Sequence, residues 1–161
     1  MAYALLTVAR EYLTNKVTFL ERHTHPWLIW DLGKPSQEPI IAPTLSHGGP
    51  RSLPGVGEPL AIAVEKGKAA HFALGITFGR TENNDVVLRH EEVSRFHAYA
   101  TQGSGGMALV DADSKNGTFI DGVRLAPKRP RLLPDECLLR FGELGVRYYS
   151  ATAFVRYLDR A

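Results

Sequence analysis

Apolar residues along this chain recur with two different periods, and the change of period divides it. Leu5, Val8, Ala9, Tyr12 and Leu13 fall at helical spacing, so the first stretch reads as an amphipathic helix whose apolar stripe needs a cover. Thr14 or Asn15 stands where a cap would open a second short helix through Val17, Phe19 and Leu20. That helix must end before His25-Pro26, because proline disfavours helix in the residue preceding it. Trp27-Leu28-Ile29-Trp30 reads as a short buried strand. From Gly33 to Gly57, the prolines at 35, 39, 43, 50 and 54 and the pair Gly48-Gly49 mark an irregular linker.

The period changes at Glu58. Leu60, Ile62 and Val64 alternate, Lys66-Gly67-Lys68 interrupts, and Phe72, Leu74, Ile76 and Phe78 alternate again, which predicts two strands joined by a turn. Further turns are expected at Gly103-Ser104-Gly105-Gly106, at Asp121-Gly122 and at Glu143-Leu144-Gly145, each flanked by apolar or β-branched residues. The Asp-Gly pair suits a tight hairpin, since glycine takes positive φ without steric cost. Short strands at regular turns predict an all-β sandwich or barrel. Phe154, Tyr157 and Leu158 share a helical face, so a short C-terminal helix is expected to close one edge or end of it. The organisation expected is a helical and strand appendage over residues 1–32, a Pro/Gly-rich linker over 33–57, and the principal domain with its terminal helix over 58–161.

Composition narrows the function classes. With 161 residues, 44% hydrophobic and 22% charged, the chain can bury one full-sized core. The formal net charge is +2, and division at residue 57 leaves +1 on each side, so neither part is a polybasic arm for nucleic acid. Any anion must be held by a local arrangement. The single cysteine, Cys137, precludes an intrachain disulfide. It sits in the run Cys137-Leu138-Leu139 and reads as a small core residue, which suits a reducing cytoplasm. Met1 to Ala9 is apolar but lacks a basic leader and is cut short by Arg10-Glu11, which argues against a signal peptide. No run approaches the roughly 18 apolar residues of a spanning helix. The expectation is a cytoplasmic protein that engages neither membrane nor nucleic acid.

Three clusters each join a turn to groups that can hold an anion: Phe78-Gly79-Arg80, Val93-Ser94-Arg95-Phe96-His97-Ala98, and Asp111-Ala112-Asp113-Ser114-Lys115-Asn116-Gly117-Thr118-Phe119. A phosphothreonine carries about −1.5 to −2 charge and three acceptor oxygens, so its site needs cationic and neutral donors converging from several directions. Arg80 and Arg95 offer planar multidentate donors, Ser94 a hydroxyl, and Lys115 a point charge. Loops at one end of a sandwich can bring such distant positions together.

In order and spacing these clusters resemble the forkhead-associated (FHA) family, whose signature is Gly-Arg, then Ser-x-x-His, then Ser-x-Asn-Gly-Thr. Asp85-x-Val87-Leu88 resembles the family's short strand between the first two, and the resemblance covers about residues 58 to 150. It implies a β-sandwich of two antiparallel sheets and a phosphothreonine-binding module, not an enzyme, that needs no cofactor and acts as adaptor or regulator downstream of a Ser/Thr kinase. Carried over residue by residue, Arg80 and Ser94 would contact phosphate, Arg95 would assist, Asn116 would hydrogen-bond the ligand backbone, and Lys115 would add charge. Gly79, His97 and Gly117 would be architectural. The family favours threonine over serine by seating the γ-methyl group in a small pocket. Some relatives have threonine where Lys115 stands and a basic residue where Glu92 stands, and Phe96 occupies a position that is often basic, so the ligand sequence preferred here is left open.

Other readings of these residues are weaker. Ser94 and His97 lack the third orienting group and the strand-turn-helix setting of a serine hydrolase. His23 and His25 have no Cys or Asp nearby to complete a metal site. Asn116-Gly117-Thr118 matches an N-glycosylation acceptor, which a cytoplasmic location makes accidental. Lys128, Arg129 and Arg131, beside Pro127 and Pro130, form the densest basic patch and read first as a solvated loop. The alternative function is a phosphate-independent assembly protein that uses the same scaffold and binds through the N-terminal segment and Trp27-Trp30. Thr44, in the proline-rich stretch, is a candidate self-ligand for the phosphate site if phosphorylated, against the commoner reading of an ordinary linker threonine.

Overall fold

Alternation along each strand decides what faces the interior. On the strand Glu136–Phe141, Cys137, Leu139 and Phe141 are buried while Glu136 and Leu138 are exposed, and on Leu144–Tyr149 the residues Leu144, Val146 and Tyr148 turn to the same core. The computed structural model describes residues 1–31, 57–67, 72–73 and 75–161. The proline-rich stretch before Gly57, with Thr44 in it, lies outside the described residues, as do Lys68 and Leu74 of the expected turn and strand.

In chain order the elements are β1 (Ala2–Ala4), α1 (Leu5–Thr14), α2 (Lys16–Arg22), β2 (Trp27–Trp30), β3 (Leu60–Ala63), β4 (Ile76–Gly79), β5 (Val86–Val87), β6 (Ala98–Gly103), β7 (Gly106–Asp111), β8 (Thr118–Ile120), β9 (Val123–Arg124), β10 (Arg131–Leu132), β11 (Glu136–Phe141), β12 (Leu144–Tyr149) and α3 (Ala151–Arg160). Seven strands form one sheet in the order β1-β3-β2-β12-β11-β8-β9, and five form the other in the order β10-β7-β6-β4-β5. The two sheets make a β-sandwich. Leu28, Phe78, Leu88, Leu109, Leu139, Phe141 and Leu144 are fully buried between them, and Phe78 of one sheet stacks on Phe141 of the other with ring centroids 5.6 Å apart. Every pairing is antiparallel except β4 with β5, which is parallel and adds one mixed edge to the antiparallel sheets expected.

The N-terminal segment is not set apart from the sandwich. Trp27–Trp30 lies inside the seven-stranded sheet, paired to β3 on one side and β12 on the other, and Ala2–Ala4 pairs with β3 at the sheet edge. The reason is that β2 is apolar on both faces. Leu28 and Trp30 enter the core between the sheets, while Trp27 and Ile29 enter a second core beneath the helices, so no polar face marks the strand as peripheral. The helices cover the outer face of β3, β2 and β12. Val8, Tyr12 and Phe19 from α1 and α2, and Phe154 and Leu158 from α3, pack on Trp27, Ile29, Ala61, Ala63 and Tyr149. Ala61 and Ala63 keep that face low, and Phe154 stacks on Trp27 at 4.9 Å.

The terminal helix thus lies on a sheet face together with α1 and α2, and does not close an edge or end. Asn15 opens α2, its side chain accepting from Thr18 N–H at 3.1 Å, and Ser150 opens α3, accepting from Ala153 N–H at 3.2 Å. Asp159 of α3 accepts from Tyr12 Oη at 2.8 Å and from Lys16 Nζ at 2.9 Å, fastening the helices to one another. Cys137 is buried as expected, and burial pushes its thiol up to about 12. The last expected turn is shorter and starts one residue earlier: Gly142, with φ of 62°, and Glu143 make it, while Leu144 pairs with Phe141 and is buried as the first residue of β12.

Candidate functional site

The site is built from three loops at one end of the sandwich, and the first begins where β4 stops. The backbone N–H of Arg80 donates to Ser94 C=O at 3.0 Å, which joins the first loop to the second. Gly79 is required by the same junction. A Cβ on it would lie 2.1 Å from the Arg95 carbonyl oxygen and 2.5 Å from Asn84 Nδ2, a clash with main chain that no rotamer relieves. Asn84 Nδ2 donates to Arg95 C=O at 2.6 Å and to Thr81 C=O at 3.0 Å, so the turn after Arg80 is bonded directly to the loop that carries Arg95. Just beyond, the buried Asp85 carboxylate accepts from Thr77 N–H at 2.9 Å, from Gly67 N–H and from Lys66 Nζ at 3.0 Å. Burial opposes its charge, but these donors outweigh that and hold it below the usual carboxylate range.

His97 fixes the second loop to the third. Its Nδ1 accepts from Ser94 N–H at 3.0 Å, so the ring proton is on Nε2, which donates to Gly117 C=O at 3.0 Å. The side chain is fully buried against Phe141, and burial lowers its proton affinity, with the Gly117 carbonyl and the Asp111 charge acting the other way. A neutral ring of one tautomer is the only form that makes both bonds. The imidazole is therefore a spacer between two loops, both its ring nitrogens being taken by main chain.

The third loop is folded about Asp111. This buried carboxylate accepts from Ser114 Oγ and Thr118 Oγ1, each at 2.6 Å, and from Ser114 N–H at 3.1 Å; Ser114 Oγ in turn accepts from Gly117 N–H at 3.0 Å. Gly117 has φ of 86°, a conformation that favours glycine, and this turns its carbonyl to His97 and to Gly142 N–H at 2.8 Å. The loop so held brings Lys115 N–H to within 3.1 Å of Ser94 Oγ and lets Asn116 Nδ2 donate to Glu92 C=O at 3.0 Å.

These bonds bring all five ligand-binding candidates, Arg80, Ser94, Arg95, Lys115 and Asn116, to the wall of one open cleft of about 440 Å³, whose remaining lining is Glu91, Glu92 and Val93. Gly79, His97 and Gly117 lie behind that wall and are buried. Ser94 Oγ accepts from Lys115 N–H, which leaves its own proton to donate outward. Arg80 Nη1 makes one long contact to Glu91 C=O at 3.4 Å. Among the described residues, Arg80, Arg95 and Lys115 take part in no ion pair, and all three are exposed. The arrangement can donate hydrogen bonds to an anion from three directions at once. Among these residues there is also no group of three or more His, Cys, Asp or Glu side chains placed to hold a metal ion.

Glu91, Thr81 and Asn84 lie outside the motifs read in the sequence. Glu91 serves the loop through its backbone carbonyl, which any residue supplies, so its identity carries no signal for that contact. Asn84 left a faint one, an Asn-Asn-Asp turn directly after Gly-Arg. Trp27 and Trp30 are buried, at 1% and 4% exposure, and offer no exposed platform to a partner.

Residues 76–142 match the family model described as FHA domain. Over 77 residues the chain is 31% identical to the ABC transporter ATP-binding/permease protein Rv1747 of Mycobacterium tuberculosis, a match that covers 48% of this chain and only 9% of that protein. Among solved structures, the chain is similar to the FHA-2 domain of the same transporter, with 27% identity, TM-score 0.40, and 63% of this chain and 83% of that one covered. It is also similar to Mycobacterium tuberculosis EmbR in complex with a low affinity phosphopeptide, with 18% identity, TM-score 0.48, and coverage of 89% and 31%.

Proposed function

We propose that this chain, which carries an FHA domain over residues 76–142, binds phosphothreonine on a partner protein and serves as an adaptor or regulator in Ser/Thr kinase signalling. The observation that carries the reading is the convergence of Arg80, Ser94, Arg95 and Lys115 on one cleft, where among the described residues none of the three cations is in an ion pair, even with Glu91 and Glu92 on the same lining. Three cations without an ion-pair partner on one lining favour an anion that completes the cluster. A dianionic phosphate does so with three acceptor oxygens. FHA domains are binding modules, and the histidine here is spent on loop geometry, which agrees with a binding role.

In this reading the two guanidinium groups and the Ser94 hydroxyl take the phosphate oxygens, Lys115 adds charge at the rim, and Asn116 meets the ligand backbone. Asn116 is pre-positioned for that, because one of its amide protons is already committed to Glu92. The test is titration of the full chain with matched peptides bearing threonine, phosphothreonine and phosphoserine. Phosphothreonine is expected to bind most tightly, and affinity should fall with added salt. Arg80→Ala should weaken that binding by roughly ten- to a hundredfold, the loss of a charge-assisted hydrogen bond, with an unchanged circular dichroism spectrum. Equal binding of all three peptides would overturn the function, and unchanged affinity in Arg80→Ala would overturn the pocket.

A further inference from the structure

The helices leave the outer face of β8, β9 and β11 bare, and the residues there are not those of an inert surface. Arg124, Phe119 and Arg140 are register partners across β9, β8 and β11 and form a continuous row. Both guanidinium groups lie over the Phe119 ring, Arg140 Cζ at 4.0 Å from its centroid and Arg124 Cζ at 5.9 Å. Neither arginine has an ion pair among the described residues, and Arg140 Nε is buried without a hydrogen-bond partner.

Carboxylates close by in the sheet are already engaged. Asp121 accepts from Leu138 N–H at 2.9 Å, and Glu136 lies 3.9 Å from Arg147. Two cations flank one ring, and among the described residues neither is matched by a carboxylate in an ion pair.

The row also begins where the phosphate cleft ends. The Arg124 guanidinium lies against Gly117, so that a Cβ at 117 would meet Nε at 2.9 Å and Cζ at 3.1 Å, and the preceding residue, Asn116, lines the cleft. We infer that Arg124, Phe119 and Arg140 form a second, acid-reading surface that receives an acidic segment flanking the phosphothreonine of the same partner chain. The inference rests on the phosphothreonine reading for the placement of that segment. An extended peptide advances at most about 3.3–3.6 Å per residue, so a few residues beyond the phosphothreonine suffice to leave the cleft and follow the row. Arg140, stacked on the ring, and Arg124, at the cleft margin, would each take a carboxylate, and such exposed pairs add small, salt-sensitive increments to affinity.

The test uses the full chain and phosphothreonine peptides of one core sequence, carrying either four glutamates or four glutamines before the phosphothreonine, or the same blocks after it. At low salt, one acidic flank should bind roughly three- to tenfold more tightly than its neutral counterpart. That preference should shrink in Arg124→Gln and vanish in Arg124→Gln/Arg140→Gln, while their affinity for the neutral peptides stays that of the wild type. An unphosphorylated peptide of the favoured acidic flank, followed by amide chemical shifts, should move Phe119, Arg124 and Arg140 and leave Ser94 and Arg95 in place. This arm reports on the row whether or not the cleft takes phosphothreonine. If neutral peptides bind equally with threonine and phosphothreonine, the cleft reading fails. If neither acidic flank is preferred, if the preference survives in the double variant, or if the acidic peptide leaves the row unmoved, the inference is overturned.

Discussion

On the helices, charge meets charge: Lys16 meets Asp159 at 2.9 Å and Arg22 lies 3.8 Å from Glu11. At the loop end, Arg80, Arg95 and Lys115 line one cleft with Glu91 and Glu92 and meet no carboxylate in any described ion pair, and Asp111 of the third loop does not serve them either. That carboxylate is spent inward, on Ser114 and Thr118. The difference separates two jobs done by the same kinds of residue. The helical cover pairs Tyr12 and Lys16 with Asp159 and Arg22 with Glu11 across its own elements, and gains stability from the apolar contacts between them. The loop end satisfies its backbone, its histidine and its aspartate, and leaves its cations for something outside.

The division can be broken most forcefully from the packed side. Trp27 is buried at 1% exposure, stacks on Phe154 and touches His25, so Trp27→Ala should cost about 3–5 kcal/mol of stability, read from the midpoint of urea unfolding. Because its ring sits on the far face of the seven-stranded sheet, the protein that remains folded should keep its phosphopeptide affinity. A folded variant that had lost that affinity would show the two regions to be coupled.

A cut on the other side should give the reverse pattern. Asp111→Ala removes the acceptor of three hydrogen bonds and leaves buried donors on Ser114 and Thr118, an expected loss of about 2–3 kcal/mol. Here phosphopeptide affinity should fall in the folded protein too, since Lys115 and Asn116 are held in place by that turn. Calorimetric titration below the unfolding midpoint checks it, and retained affinity would mean that the loop keeps its shape without its carboxylate.

The same two regions were unequally legible in the sequence. The loop end announced itself because its geometry demands particular residues: Gly79 for the approach of the Arg95 carbonyl, Gly117 for a positive φ, and His97 for two bonds in opposite directions. Each need is local to a few positions and leaves a motif. The helical cover left periodicity and caps: Leu5 to Leu13 and Phe154 to Leu158 do lie in helices there, and Asn15 does cap one. What they cover was not readable. Trp27–Trp30 reads as a buried strand, but its partners, β3 and β12, are chosen by complementary surfaces distant in sequence, with Ala61 and Ala63 low enough to admit a tryptophan. An apolar run on both faces states that it is buried and not beside what. The row Arg124, Phe119 and Arg140 escaped for the same reason, since only strand register brings the three together.

The finest division between the regions is a matter of protons. One histidine in each is held below the ordinary histidine range by burial: His97 at the loop end, and His25 beside Trp27, where the Pro26 carbonyl and Glu65 act against that lowering. In the unfolded chain both would take a proton near pH 6.5, and in the folded chain only at lower pH. The unfolded state therefore binds more protons in the window just below 6.5. The stability contributed by the neutral rings is complete above that value and is lost as pH falls through the window. Urea midpoints measured between pH 7.5 and 5 should decline, and His97→Gln and His25→Gln should each flatten part of that decline. If His25→Gln alone removes all of it, the loop-end imidazole keeps its two bonds without resisting a proton, and its role as a neutral spacer between Ser94 and Gly117 falls.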